Sequence, residues 1–241
     1  MKNTLLCLFM IPLFLVYSCA EDTSAPSDAS TTVSSYHRTA CIAENALNPY
    51  DSLGTVYYEL YDAYYSSGSV PGTFSATLDS LTVYARASSN FVKLAGSSSY
   101  SFGMESEIED LLSCTSNCVA TVVSNSFETS SAISLFDSFL ADYDSACSSY
   151  EDYMDVHVVV TDYEAEVLAD TVLSSSDKRK FLIATSIARF TAYAKKKKPK
   201  KNTDPEWALL ISNLTASLEG ADSSDADAVF GALLTGIMEN K

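Results

Sequence analysis

Between Thr129 and Tyr150 the apolar residues Ile133, Phe136, Leu140, Tyr143 and Cys147 recur at steps of three and four, with mostly Ser and Asp between them. That spacing is one stripe of an α-helix. Upstream, Asp51 or Ser52 can cap a helix that carries Leu53, Tyr57, Leu60 and Tyr64 on one side and stops at the turn-forming SGSVPG of Ser67 to Gly72. Phe74, Leu78, Leu81, Ala85, Val92 and Ala95 mark a longer helix closed by Gly96. Met104 to Cys114 is short and acidic on one side, and Thr161 to Leu173 carries Tyr163, Val167 and Val172. Ser174 to Asp177 (SSSD) fits a loose capping box before a helix over Phe181 to Ala194; Thr203 to Glu206 (TDPE) repeats that logic, with proline in the first turn. Cys118 to Phe127 is β-branched and has strand character, although a lone strand has nothing to pair with. The apolar tail Ala226 to Met238 is too short to span a membrane and contains Asp227, so it reads as a docked terminal helix. The pattern predicts an all-α fold, a compact bundle of about six to eight helices.

Composition agrees with that class. Apolar residues make up 47% of the chain and Tyr alone numbers 15, enough for a sizeable core, while only 8 glycines argue against a turn-dense β sandwich. The N-terminus departs from the helical pattern. Met1 and Lys2 precede an apolar run from Leu5 to Tyr17 that is too short for a membrane span, so residues 1–18 read as a secretory signal. The stretch Val16 to Cys19 (VYSC) resembles the lipobox of bacterial lipoproteins, which implies cleavage before Cys19 and diacylation of its thiol. Several acyl chains would make attachment effectively permanent, at about 0.8 kcal/mol per buried methylene. Residues 19–35 are mostly Ser, Thr, Ala, Asp and Pro and cannot bury enough surface to fold. They form a lipidated tether, about 50 Å long at full stretch. Residues 36–241 are then a single helical domain.

Charge adds one asymmetry. Without Lys2, 14 basic residues face 31 acidic ones, a formal charge of −17, and ten of those basic residues fall between Lys178 and Lys201. The lysines Lys195, Lys196, Lys197, Lys198, Lys200 and Lys201 look like a nucleic-acid tail, but an exported protein meets no genome. They read either as a solvated connector at a helix C-terminus or as an anion-binding patch for an anionic envelope polymer or an acidic protein partner. Pairing with the acidic body competes with both.

Candidate chemistry is sparse. Outside the signal and Cys19, the cysteines Cys41, Cys114, Cys118 and Cys147 sit in an exported, oxidising setting and are candidate disulfides, in three possible connectivities. A direct Cys114–Cys118 bond requires a turn around Asn117; otherwise each pairs with Cys41 or Cys147. No metal site is expected, because C-x3-C lacks a second pair and neither His37 nor His157 is near in sequence. His157, in DVHVVV, reads as a structural imidazole. Three acidic clusters are read as wet helix faces: Glu105, Glu107, Glu109 and Asp110; Glu151, Asp152 and Asp155; Asp162, Glu164 and Glu166. None has EF-hand spacing. There is no G-x-S-x-G and no phosphate-cradling glycine loop, so no catalytic residue and no cofactor is assigned. The tyrosines of YYELYDAYY (Tyr57 to Tyr65) fit either helix packing with hydroxyls in water or sugar stacking.

Several segments together suggest a wider likeness. NPYD (Asn48 to Asp51) with Gly54 and Leu60, ARFTAY (Ala188 to Tyr193), Trp207 and DADAVFGA (Asp225 to Ala232) resemble a group of uncharacterised Bacteroidota outer-membrane lipoproteins. Those carry an Asn-Pro-aromatic-Asp segment after the tether and an Ala/Gly-rich C-terminal tail. The acids Glu21 and Asp22 just after Cys19 also look like the signal that marks surface-exposed members. The resemblance implies a lipid-anchored protein on the cell-surface side of a bacterial outer membrane, with a binding or structural role and no activity to carry over. The expectation from another class is a small envelope hydrolase using paired acidic residues.

Overall fold

The computed structural model describes residues 42–68, 72–114, 117–197 and 208–239. Among the described residues it is all-helical, with ten helices and no strand. They are α1 (Asp51–Ser66), α2 (Phe74–Ala87), α3 (Ser89–Ala95), α4 (Glu105–Ser113) and α5 (Cys118–Ser126), then α6 (Ser130–Ser149), α7 (Tyr153–Ala169), α8 (Ser175–Lys197), α9 (Ala208–Ser223) and α10 (Asp225–Glu239). The TDPE segment and Trp207 lie outside the described residues.

Two helices form the centre. From Phe181 to Ala194 every residue of α8 is buried, and so is every residue of α10 from Ala228 to Ile237. A helix that is apolar or small on all sides must be covered on all sides. For α8 the cover comes from α1, α7 and α9; α10 lies along α9 as a helical hairpin. Each fully buried Phe or Ile of α8 contributes about 2 kcal/mol relative to exposure. The hydroxyls interspersed on α8 cost little, because Thr191 Oγ1 donates to the Ile187 carbonyl at 2.8 Å and Thr185 Oγ1 to Leu182 at 3.2 Å. At Gly220 the α9 and α10 backbones touch: an added Cβ would lie 2.4 Å from the Ala228 nitrogen.

Local signals explain most boundaries. Thr129 caps α6, its hydroxyl accepting the Ala132 N–H, and Gly96 ends α3 in the left-handed region at φ 67°. Ser174 Oγ accepts the Asp177 N–H at the start of α8 as the capping pattern requires. Beyond that pattern, the buried Asp177 carboxylate reaches the Glu128 N–H and the Thr129 hydroxyl, tying α8 to the start of α6.

The sequence pattern fails at three places. The helix expected to run unbroken from Phe74 to Ala95 breaks at Ser88, whose ψ of 119° leaves the helical region so that its hydroxyl can accept the Phe91 N–H and donate to Glu59. This break helps raise the number of helices above the expected six to eight. Cys118 to Phe127 is helical, not extended: Val122 and Val123 are buried in α5, which packs on α9 and α6, and tertiary burial overrides the β-branched preference. The helix expected over Thr161 to Leu173 instead begins at Tyr153, capped by Asp152, and ends at Asp170, whose carboxylate takes the N–H groups of Val172 and Leu173.

Candidate functional site

Two polar centres stand out against this apolar frame. The first is a buried charge clasp. Arg189, in the middle of α8, is fully buried, and its guanidinium donates to three acceptors: Glu164 Oε1 of α7 at 3.1 Å, Asp51 Oδ1 at the start of α1, and the Ala43 carbonyl. Glu164 is itself fully buried; Asn45 donates to its Oε2 and Asn48 to its Oε1, each at 2.6 Å. Asn48 also donates to the Leu182 carbonyl, and Asp51 accepts the Asn45 N–H at 3.0 Å. Ser186 of α8 donates to the Asp51 carbonyl and accepts the Gly54 N–H. Residues 43–54 are therefore sewn to α7 and α8 through polar groups that have left water in matched pairs. The two segments quoted for the sequence resemblance, NPYD and ARFTAY, meet here.

Glu164 corrects the reading of the third acidic cluster as a wet face. Asp162 and Glu166 are exposed, but Glu164 continues the buried stripe Val156, Val160, Val167. That stripe was visible in the sequence and could have placed it in the core. Arg189 carried a similar signal, as the lone charge in an otherwise apolar and small-residue run.

The second centre is an open cleft of about 220 Å³ lined by Met104, Glu107, Val122, Asn125, Ser126, Glu219 and Asp222. Its walls come from the start of α4, from α5 and from the end of α9. Lys180 of α8 pairs with Asp222 and donates to the Ser126 carbonyl, so one of the three carboxylates has its counter-ion. Glu219 has none: its Oε2 is buried without a hydrogen-bond partner among the described residues. Burial pushes its carboxyl above the ordinary carboxylate range, and Glu107, Asp110 and Asp222 push further in the same direction. A carboxyl held toward its neutral form can donate a proton or a hydrogen bond to a small polar group. Among the described residues no group of three or more His, Cys, Asp or Glu could hold a metal ion.

The residues singled out in the sequence are distributed as follows. Cys114 and Cys118 are bonded to one another across Asn117, which takes the left-handed conformation at φ 65° and supplies the turn that this pairing requires. Cys147 is buried in α6. Cys19, Cys41, Lys198, Lys200 and Lys201 lie outside the described residues, as do the side chains of Lys196 and Lys197. Lys195, in the last turn of α8, is half-buried and lies within electrostatic reach of Glu239 on α10, a carboxyl that burial pushes up to about 7 and that Lys195 and Ser212 pull back. For Lys195, interaction with the acidic body is therefore present. His157 lies 3.3 Å from the Glu44 carbonyl and edge-on to Tyr153. In the tyrosine-rich α1, Tyr57, Tyr58 and Tyr64 are buried, and Tyr58 packs against Phe190 and Tyr193 of α8. The acids of α4 are exposed.

Searches among protein-family models, curated proteins and solved structures give no match. The functional reading therefore rests on this chain's own residues.

Proposed function

We propose that this chain is a lipid-anchored envelope lipoprotein, displayed on the cell-surface side of a bacterial outer membrane, whose helical body binds or scaffolds. The clasp on Arg189 supports this reading. A body held by its N-terminal tether is loaded at the segment that follows the tether, and residues 43–51 are bonded to the centre of the fold through Arg189, Glu164 and Ser186. Mass spectrometry of the membrane-extracted protein tests the anchor, together with protease shaving of intact cells and a Cys19→Ala variant. Acyl mass on Cys19, loss of the body on shaving and release of the variant from the membrane are expected. An unacylated protein would overturn the reading.

The cleft favours a second reading, a small hydrolase that uses Glu219 as acid with Glu107 as its carboxylate partner. Glu219, with its raised carboxyl and unpartnered oxygen, is the observation behind it. Glycosidic-bond turnover by the purified body, lost in Glu219→Gln, would establish this alternative; absence of turnover against envelope polysaccharides removes it.

A further inference from the structure

Among the described residues, eight large apolar side chains are exposed, and five of them lie on α7 or within three residues of its ends: Tyr150, Met154, Val158, Leu168 and Val172. The arrangement on the helix is regular. Met154, Val158, Thr161, Ala165 and Leu168 follow steps of four, three, four and three, a seven-residue repeat. At 3.6 residues per turn they fall within an arc of about 80° and run for about 21 Å. The face of α7 already packed on the core, with Val156, Val160, Glu164 and Val167, is centred about 120° around the helix from this seam. Met154 and Val158 are roughly half exposed, at 46% and 52%, so the outer seam is uncovered among the described residues.

The long borders of the seam are acidic, and Lys178 of α8 closes its C-terminal end by donating to the carbonyls of Leu168 and Asp170. Asp155, Asp162 and Glu166 are exposed along one side. Along the other runs the segment 42–48, held there by the Asn45–Glu164 hydrogen bond and the Glu44–His157 contact; it presents exposed Glu44 with the apolar side chains of Ile42 and Leu47. Helix α7 itself contains no Lys or Arg.

We propose that the outer seam of α7 docks a helix of a partner protein that carries aliphatic residues at the same three-four spacing and Lys or Arg on both flanks. Helix-in-groove recognition needs an apolar stripe of this length, and flanking charges choose the partner. A second copy of this chain is the poorer occupant. Antiparallel pairing about a two-fold axis would set the Asp155–Asp162 border against itself, on a molecule whose formal charge is already −16. An anionic bilayer meets the same repulsion, since surface-lying helices carry basic rather than acidic borders. The proposal supplies a partner class for a binding role and stands whether or not Cys19 is acylated.

The test uses the full mature chain and three synthetic helical peptides of equal length: Leu/Ile at the repeat positions with Lys on the flanks, the same core with Glu on the flanks, and a scramble of the Lys peptide that destroys the stripe. Fluorescence anisotropy should show binding of the first alone, weakened about tenfold or more by Val158→Asp with Leu168→Asp. Asp155→Asn with Asp162→Asn should weaken it less and flatten its salt dependence. Because all four side chains are exposed, circular dichroism of both variants should match the parent. Equal binding of the scrambled peptide, binding that survives Val158→Asp, or no binding of the Lys peptide would overturn the proposal. So would self-association in sedimentation, or capture by anionic vesicles, abolished by the same substitution.

Discussion

Replacing Arg189 by Met tests whether the clasp holds the start of the body to its centre. The substitution preserves much of the aliphatic length but removes donors to Glu164, Asp51 and the Ala43 carbonyl. Glu164, fully buried, would then be left with only the amides of Asn45 and Asn48 as partners. Breaking a buried pair by deleting one partner costs about 3–5 kcal/mol, because the surviving charge is left in a low-dielectric site. For a body of this size that is a fall of about 10 °C in Tm. Glu164→Gln should be milder, at about 1–3 kcal/mol: Arg189 keeps Asp51 as counter-ion and the remaining amide oxygen can accept from Arg189 and Asn48, while the new NH2 faces the Asn45 amide, which is held in orientation by the Leu47 N–H on its Oδ1. The double variant Arg189→Met with Glu164→Met removes both charges, so its loss should fall short of the sum of the corresponding single losses by about 2 kcal/mol. Urea denaturation of the three single variants and the double variant, followed by circular dichroism, reads all of this. A loss below about 1 kcal/mol for Arg189→Met, or strict additivity, would show that the clasp is not a coupled buried network.

Three further outcomes follow from the packing and the cleft. Gly220→Ala should cost about 3 kcal/mol or more in urea denaturation, because its Cβ would meet the Ala228 backbone at 2.4–2.5 Å, which has no flexible end to move; a near-neutral result would mean the α9–α10 contact is looser than described. The Glu219 carboxyl is raised in the folded state, so its contribution to stability is fully present below the ordinary carboxylate pKa and is lost as pH rises through the raised value. Glu219→Gln should therefore raise Tm at neutral pH and leave it unchanged near about pH 4, and an equal shift at both pH values would contradict the burial argument. Reducing Cys114–Cys118 should cost no more than about 2 kcal/mol, since the closed loop is short; cooperative unfolding on adding dithiothreitol would show instead that the α4–α5 pair depends on it.

The sequence by itself determined what depends on near neighbours. The stripe of α6, the Gly96 stop, the Ser174 capping pair and the docked tail were readable because helix period and capping act over three or four residues. What depended on remote partners was not readable. That Cys118 to Ser126 is a helix was decided by burial against α9 and α6, not by its β-branched composition. That Glu164 is core while Asp162 and Glu166 are wet follows from the face of α7 that meets α8, although the Val156–Val160–Val167 stripe hinted at it. The cleft gathers Glu107, Asn125 and Glu219 from three separate helices, and no spacing along the chain announces it. Asp51 and Arg189, 138 positions apart, share a hydrogen bond only because α1 packs on α8. A buried charge survives only beside its complement, and only the tertiary structure could bring that complement to it.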